Sequence, residues 1–176
     1  MKDIIKPIVV LASICLIVTA LLAYVNMVTQ PIIKAAEEKA AAEARAEVLS
    51  EAKDFEELDI KNLPEGVTAV FRGSNDSGYV FMMTQKGYGG DIRLICGMHM
   101  DGTIEAVKTL SHSETSGIGS RVVDNGSGYR ENYVGKDADS YKEVDALTGA
   151  TISSTAYKKA IASAFEAYKT VKEAKQ

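Results

Sequence analysis

The strongest constraint on this 176-residue chain is an apolar stretch near its N-terminus. No charged residue lies between Lys6 and Lys34, and the core of that interval, Ile8 to Val28, consists mainly of Ile, Val, Leu and Ala. About 20 apolar residues are enough for a helix to cross a bilayer, whereas the apolar region of a cleaved signal peptide is only about 7–15 residues long. The sequence therefore predicts a retained transmembrane helix over residues 8–29, after a short tail of residues 1–7.

The segment after this helix has the composition of a second helical region. Residues 32–53 are rich in Ala, Glu, Lys and Arg, which are strong helix formers. Pro31 fits the first turn of a new helix, or a kink. We expect a helical stalk over residues 30–62, either as a solvated spacer or as a lever that sets the height of the following domain above the membrane.

The hydrophobic pattern changes to that of strands from Val67 onwards. The segment from Asp91 to Met100 alternates apolar and polar residues with a period of two, which is typical of a half-buried strand. Asp101-Gly102 then favours a hairpin. From Tyr157 to Val171 apolar residues recur every three or four positions, as on one face of an amphipathic helix. The sequence predicts an α+β domain over residues 63–176, a twisted antiparallel sheet packed against a C-terminal helix.

Composition narrows the classes of function. The formal net charge is -4 and the body of the chain has no basic cluster, which argues against nucleic acid as a partner. Cys15 and Cys96 form no disulfide framework, and we expect both to be small buried hydrophobes. Without a spaced His/Cys set, no metal site is predicted. Residues 122–141 have the composition of a surface loop.

The stretch from Asp145 to Thr151 reads D-x-x-T-G-A-T and stands directly before the predicted C-terminal helix. Gly149 and Ala150 leave the backbone uncovered, so that a bulky group can approach closely. Thr151 falls at the helix N-terminus, where free N–H groups and the helix dipole favour a phosphate. The alternative is that Thr148, Thr151 or Ser153 is only an N-cap.

Three motifs together resemble a known family. D-x-x-T-G-A-T resembles the flavinylation motif of the FMN-binding G subunit of the Rnf complex and of the related C subunit of sodium-translocating NADH:quinone reductase. Residues 114–119, ETSGIG, match the family's E-T-P-G-(I/L)-G element with Ser116 where Pro is usual, and residues 87–90, GYGG, resemble its G-Y-x-G turn. The resemblance covers residues 64–165 together with the N-terminal anchor.

The resemblance implies a covalent flavoprotein. FMN would be attached through its phosphate to the hydroxyl of Thr151, and Asp145 would help to present the motif to a flavin transferase that uses FAD and a divalent metal. No residue would act as a general acid or base, because the flavin carries the redox chemistry. Tyr129, Tyr133 or Tyr141 could stack on the flavin or pack at a sheet margin. The further residues expected to bind the cofactor are Thr148, Gly149, Ala150, Glu114, Thr115, Gly117 and Gly119.

The implied function is electron relay in one-electron steps, within an ion-translocating ferredoxin:NAD oxidoreductase. The chain would be an electron-transfer subunit of that complex with no complete activity alone. We prefer the Rnf-type G subunit over the C-type subunit, because the chain lacks long insertions. A non-redox, membrane-anchored binding or scaffold module is the other alternative. Expected partners are the other membrane and peripheral subunits, the flavin transferase and the lipid bilayer, with the flavin domain on the extracytoplasmic side of the cell (inner) membrane.

Overall fold

A computed structural model describes residues 2–173, with side chains from Ile5 onwards. Met1, in the predicted tail, and residues 174–176, in the predicted domain, lie outside the described residues. The contacts divide the chain after Ala40 into two units. Each unit is therefore described by itself.

The first unit consists of the apolar part of helix α1, which runs from Lys2 to Val48. Its most apolar 18-residue window has a mean hydropathy of 2.8 and none of that window is buried, so the helix is long and apolar enough to cross a membrane. The hydroxyl of Ser13 donates to the carbonyl of Val9 at 2.8 Å, which satisfies this polar group within the helix. Cys15 lies exposed on the same helix instead of buried as expected.

The helix ends earlier than the predicted helical stalk over residues 30–62. Helix α1 continues through Pro31 without starting anew and stops at Val48. Residues 55–57 instead form a strand, with Phe55 paired to Gly73. That pairing requires an extended backbone, and the helix propensity of the preceding residues cannot continue through it. The boundary between stalk and domain stays a prediction.

The second unit is built on a five-stranded antiparallel sheet with strand order β1-β2-β3-β4-β5. Each strand pairs with its neighbours in the chain, as expected for a meander. The predicted antiparallel sheet and C-terminal helix are confirmed, and the fold is α+β. The strands are β1 (Phe55–Glu57), β2 (Val67–Gly73), β3 (Gly78–Lys86), β4 (Asp91–His99) and β5 (Ile104–Ser111), and the helices that follow are α2 (Ser120–Val123) and α3 (Thr151–Glu173).

Both faces of the sheet are covered. On one face α3 packs its apolar side, from Tyr157 to Val171, over the alternate residues Ile92 to Met98 of β4. On the other face a smaller core joins residues 44–52 to Phe71, Val80 and Ile95. The prediction that β4 is half-buried is therefore wrong, because the end of α1 covers the face that carries Ile95.

Polar contacts fix residues 47–50 to strand β5. The backbone N–H and the hydroxyl of Ser50 both donate to Oε1 of Glu105, at 2.9 and 2.6 Å. Glu47 forms an ion pair with Lys108 on the same strand. These contacts and the second core hold the last turn of α1 against the sheet.

The predicted surface loop over residues 122–141 is wrong in part. Val122 and Tyr133 are fully buried, in α2 and in a 3₁₀ turn over Arg130–Tyr133. The segment also covers the free edge of β5. The backbone N–H of Ile104 donates to the carbonyl of Lys136 at 2.9 Å, and the side chain of Asn125 pairs with the backbone further along the strand. An uncovered edge would leave polar groups unpaired, and this segment supplies the partners.

Candidate functional site

Three segments of the second unit meet around a cavity of about 420 Å³. They are the turn between β3 and β4, the loop after β5 and the start of α3. Pockets of this size are within the range of about 300–1,000 Å³ that holds small ligands and cofactors. The lining residues are Tyr88, Glu114, Thr115, Ile118, Gly119, Gly149, Ala150, Thr151, Ile152 and Ser153.

Thr151 lies exposed at the first position of α3. Its hydroxyl makes no hydrogen bond within residues 2–173, and neither do the backbone N–H groups of residues 151–153; the first bond of this helix runs from the N–H of Ser154 to the carbonyl of Ala150. A helix N-terminus with free N–H groups attracts negative charge. The start of α3 therefore offers both an accessible hydroxyl and an anion-binding backbone.

The alternative that Thr148 or Ser153 caps the N-terminus of α3 is not supported by their hydrogen bonds. Ser153 donates its hydroxyl to Oε2 of Glu114, and Thr148 is exposed and makes no hydrogen bond in the described part of the chain. The local bonds at the helix start belong to Ser154, whose Oγ accepts from the N–H of Leu147 at 3.0 Å and donates to the carbonyl of Ala150 at 3.0 Å. Neither Thr148 nor Ser153 therefore caps α3.

Gly149 shapes the approach to Thr151. Its φ of +84° lies in the left-handed region, and a Cβ added there would meet nothing within 4 Å. A side chain at this position would be strained by the backbone and would extend into open space at the cavity. The sequence prediction that the backbone is uncovered here holds for Gly149, whereas Ala150 is only 6% exposed.

Glu114 is the buried acidic group of the site. Its side chain is 8% exposed. Oε1 accepts a hydrogen bond from the N–H of Gly89 at 3.0 Å, and Oε2 accepts one from the hydroxyl of Ser153. Its own N–H donates to Nδ1 of His112 at 3.2 Å. The carboxyl group thus joins the loop that carries Glu114 to the other two segments that surround the cavity.

Large apolar side chains form an exposed rim. Tyr88 is 71%, Ile118 54% and Ile152 56% exposed. Among the described residues after position 40, only Val134 is a comparably exposed large hydrophobe. Three exposed apolar side chains around one cavity indicate a surface that an apolar group would cover.

A second cavity of about 520 Å³ shares Thr151 and Ile152 with the first. Its lining includes Lys86 and Lys159, and the Lys159 ammonium lies 3.6 Å from the carboxylate of Glu65. The lining of this second cavity therefore has two ammonium groups, and that of Lys159 is paired with a carboxylate.

The cavity includes six of the residues predicted for the site: Glu114, Thr115, Gly119, Gly149, Ala150 and Thr151. The other three lie outside its lining. Asp145 and Thr148 are exposed. Gly117 has a φ of +76°, and its N–H donates to Ser120 Oγ at 2.9 Å, so it shapes the loop. The roles of all these residues toward a cofactor stay predictions.

Sequence reasoning missed the aromatic residue at the cavity. Tyr129 and Tyr133 are buried in a cluster with Tyr157, and Tyr141 stacks on Phe165 with ring centroids 5.0 Å apart. None of the three proposed tyrosines lines the cavity. The aromatic residue that lines it is Tyr88. The sequence signal for it was the GYGG turn, because a tyrosine between glycines in a turn does not fit a buried core position.

Comparison with known proteins finds two matched regions. Residues 87–166 match the FMN-binding domain and residues 1–48 match the RnfG N-terminal region. The G subunit of the ion-translocating oxidoreductase complex of Methanosarcina acetivorans is 34% identical over 94% of both chains. The G subunit of the proton-translocating ferredoxin:NAD(+) oxidoreductase complex of Clostridium ljungdahlii is 27% identical, over 86% of this chain and 84% of its own. The G subunit of the Na(+)-translocating ferredoxin:NAD(+) oxidoreductase complex of Acetobacterium woodii is 27% identical, over 92% and 90%.

Proposed function

This chain belongs to the family of G subunits of ion-translocating oxidoreductase complexes, and we propose that it relays electrons through FMN bound in the cavity at Thr151. The observation that carries the proposal is the position of this cavity, which lies within the region that matches an FMN-binding domain. The relatives from Clostridium and Acetobacterium belong to ferredoxin:NAD(+) oxidoreductase complexes. The same reaction is therefore the best assignment for the complex that contains this chain.

The residues present fit the two chemically different ends of FMN. Tyr88, Ile118 and Ile152 form an apolar rim that suits the planar ring system. The N-terminus of α3 suits the phosphate, because its free N–H groups point to where an anion would lie. Lys86, in the lining of the adjoining cavity that also includes Thr151, adds a positive charge.

The finer part of the proposal is a covalent bond to Thr151. Its hydroxyl oxygen would attack the FMN phosphorus of FAD, so that an Oγ–P bond forms, the pyrophosphate P–O bond breaks, AMP leaves and the hydroxyl proton is released. The reaction neither oxidises nor reduces the flavin. Asp145 and Thr148 are exposed and lie outside the cavity lining, which supports their role in presenting the motif to a flavin transferase.

The protein supplies binding and environment, and FMN when bound supplies one-electron and two-electron redox chemistry. Tyr88 and Ile118 would cover the ring and exclude water from it. Gly149 would let the phosphate approach the backbone of α3 closely. Thr115 would offer a hydroxyl to the ring or to the ribityl chain. No proton transfer by a side chain is required.

The chain is a single-pass membrane protein in this proposal, anchored by the apolar part of α1. The relatives are subunits of larger complexes, so other subunits of the same complex are its partners. We further propose that the N-terminus is cytoplasmic and that residues 63–176 lie on the extracytoplasmic side. Addition of a membrane-impermeant thiol reagent to cells carrying single cysteines in the domain would test this orientation.

The decisive experiment is intact mass and in-gel fluorescence of the full chain coexpressed with a flavin transferase. The expected mass gain equals FMN less one water. Thr151→Ala should abolish both signals. Thr148→Ala should at most reduce them, and Thr155→Ala, one turn further along α3, is the matched control that should leave them unchanged. Fluorescence that survives in Thr151→Ala would show that the attachment site is wrong.

The non-redox alternative makes the opposite prediction for the native protein. A scaffold module would have unmodified peptides spanning residues 150–153 in the complex purified from its own membrane. A flavin-modified peptide there would exclude that alternative, and an unmodified one would refute the covalent proposal.

A further inference from the structure

The carboxyl group of Glu114 lies at the junction of the three segments that form the cavity. Oε1 accepts from the backbone N–H of Gly89, in the turn between β3 and β4. Oε2 accepts from the hydroxyl of Ser153, in the first turn of α3. Both oxygens act as acceptors, which is the arrangement of a carboxylate. One buried side chain therefore links segments that are 25 and 39 residues away from it in the chain.

Two glycines approach this carboxyl group so closely that a Cβ at either position would displace it. A Cβ added to Gly87 would lie 2.2 Å from Oε1 of Glu114, and one added to Gly119 would lie 2.3 Å from Oε2. Gly119 would also bring its Cβ to 2.9 Å from Oγ of Ser153. Glycine at these two positions therefore lets the backbone close on the carboxylate from both sides.

We propose that Glu114 is the positioning residue of the flavin cavity, and that its carboxylate also places a fixed negative charge beside the cofactor. The first part concerns this chain alone. The second part rests on the proposed function, because it needs FMN in the cavity. Glu114 acts on the geometry through Gly89 and Ser153, and on the flavin through its charge.

The charge has a defined direction of effect. Reduction adds electrons to the flavin, and a nearby negative charge in a partly buried site opposes that addition. Glu114 thus lowers the reduction potential of the bound FMN. The amide of Glu114→Gln retains an oxygen that accepts from Gly89 and gains an N–H that donates to Ser153, so this variant removes the charge and keeps the links.

The geometric part is tested on the flavin-free, full-length chain in detergent by hydrogen exchange. In Glu114→Ala the amide of Gly89 loses its acceptor, and its exchange should accelerate roughly tenfold or more, the loss expected for a hydrogen bond to a charged group. Glu114→Gln should stay close to the wild type. Glu166→Gln, an exposed carboxyl on α3, is the matched control. Unchanged exchange at Gly89 in Glu114→Ala would overturn the positioning role.

The electrostatic part is tested by redox titration of the FMN-loaded chain. Glu114→Gln should raise the midpoint potential of the fraction that carries FMN, and Glu166→Gln should leave the potential unchanged. A potential in Glu114→Gln equal to the wild type would overturn the charge role. If the wild type takes up no FMN but exchange at Gly89 responds as expected, the proposed function fails and the positioning role stands.

Discussion

Replacing Gly97 with alanine tests how the end of α1 is seated on the sheet. A Cβ at this position in β4 would lie 1.9 Å from the carbonyl oxygen of Val48 and 2.6 Å from its carbonyl carbon. Both are backbone atoms, so no side-chain rotation relieves the overlap. The strand and the last turn of α1 have to separate by about 1.5 Å to reach the 3.4 Å of ordinary van der Waals contact.

The loss of unfolding free energy in Gly97→Ala depends on how far that separation disturbs the packing between α1 and β4. Overpacking of a well-packed core costs about 1–3 kcal/mol. The upper limit is set by Val48 and Leu49, which are 1% and 0% exposed. Uncovering both completely would cost about 3–6 kcal/mol. We expect Gly97→Ala to lower the free energy of unfolding by about 1–3 kcal/mol, with larger values only if the second core opens.

Urea unfolding of the detergent-solubilised full chain measures this change, with near-UV circular dichroism of the buried tyrosines as the signal. The midpoint should fall and the slope should stay constant, because the surface exposed on unfolding is unchanged. Gly126→Ala is the matched control, since a Cβ there meets nothing within 4 Å. Equal midpoints for Gly97→Ala and the wild type would mean that α1 does not press on β4 as described.

Three further outcomes are expected. Asn125→Ala removes the side chain that pairs with both backbone groups of Thr109 at 2.9 Å. Urea unfolding should show that the free energy of unfolding falls by about 1–3 kcal/mol. An unchanged midpoint would contradict the role of Asn125 in covering the edge of β5. Hydrogen bonds from Ser140 lower the pKa of Asp137 from 3.8 to about 2, so the stabilisation by its carboxylate is present above pH 3.8 and is lost as the pH falls toward 2. The loss of unfolding free energy caused by Asp137→Asn should therefore shrink over that pH window. A loss that is the same at every pH would refute these hydrogen bonds. Tyr88→Ala should make the bound flavin more accessible to a soluble fluorescence quencher without changing the FMN mass gain, and equal quenching would remove Tyr88 from the ring site.

Local patterns were sufficient for most of the fold. Strand β4 follows from period-two alternation, and α3 follows from apolar spacing, because both patterns depend only on neighbouring residues. The antiparallel sheet and the C-terminal helix were therefore predicted correctly, except for β1, which the sequence assigned to the helical stalk. The prediction of a surface loop over residues 122–141 was wrong in part, because turn residues such as Gly126 dominate its composition although Tyr133 is a core residue.

The site divides in the same way. Sequence motifs predicted Thr151 and the loop of Glu114 as site residues, but they could not show that Glu114 accepts a hydrogen bond from Ser153, because the two residues are 39 positions apart. The GYGG turn was recognised in the sequence, but the position of Tyr88 at the cavity was seen only in three dimensions.

The sequence by itself determined that an apolar helix precedes an α+β domain and that a threonine stands at a helix start, because hydropathy, periodicity and helix-start signals are local. Only the tertiary structure decided that the end of α1 covers the second face of the sheet, that Gly97 must carry no side chain, and that three distant segments close on one buried carboxylate. Those features depend on contacts between residues that are far apart in the chain, and a local sequence pattern does not specify such contacts.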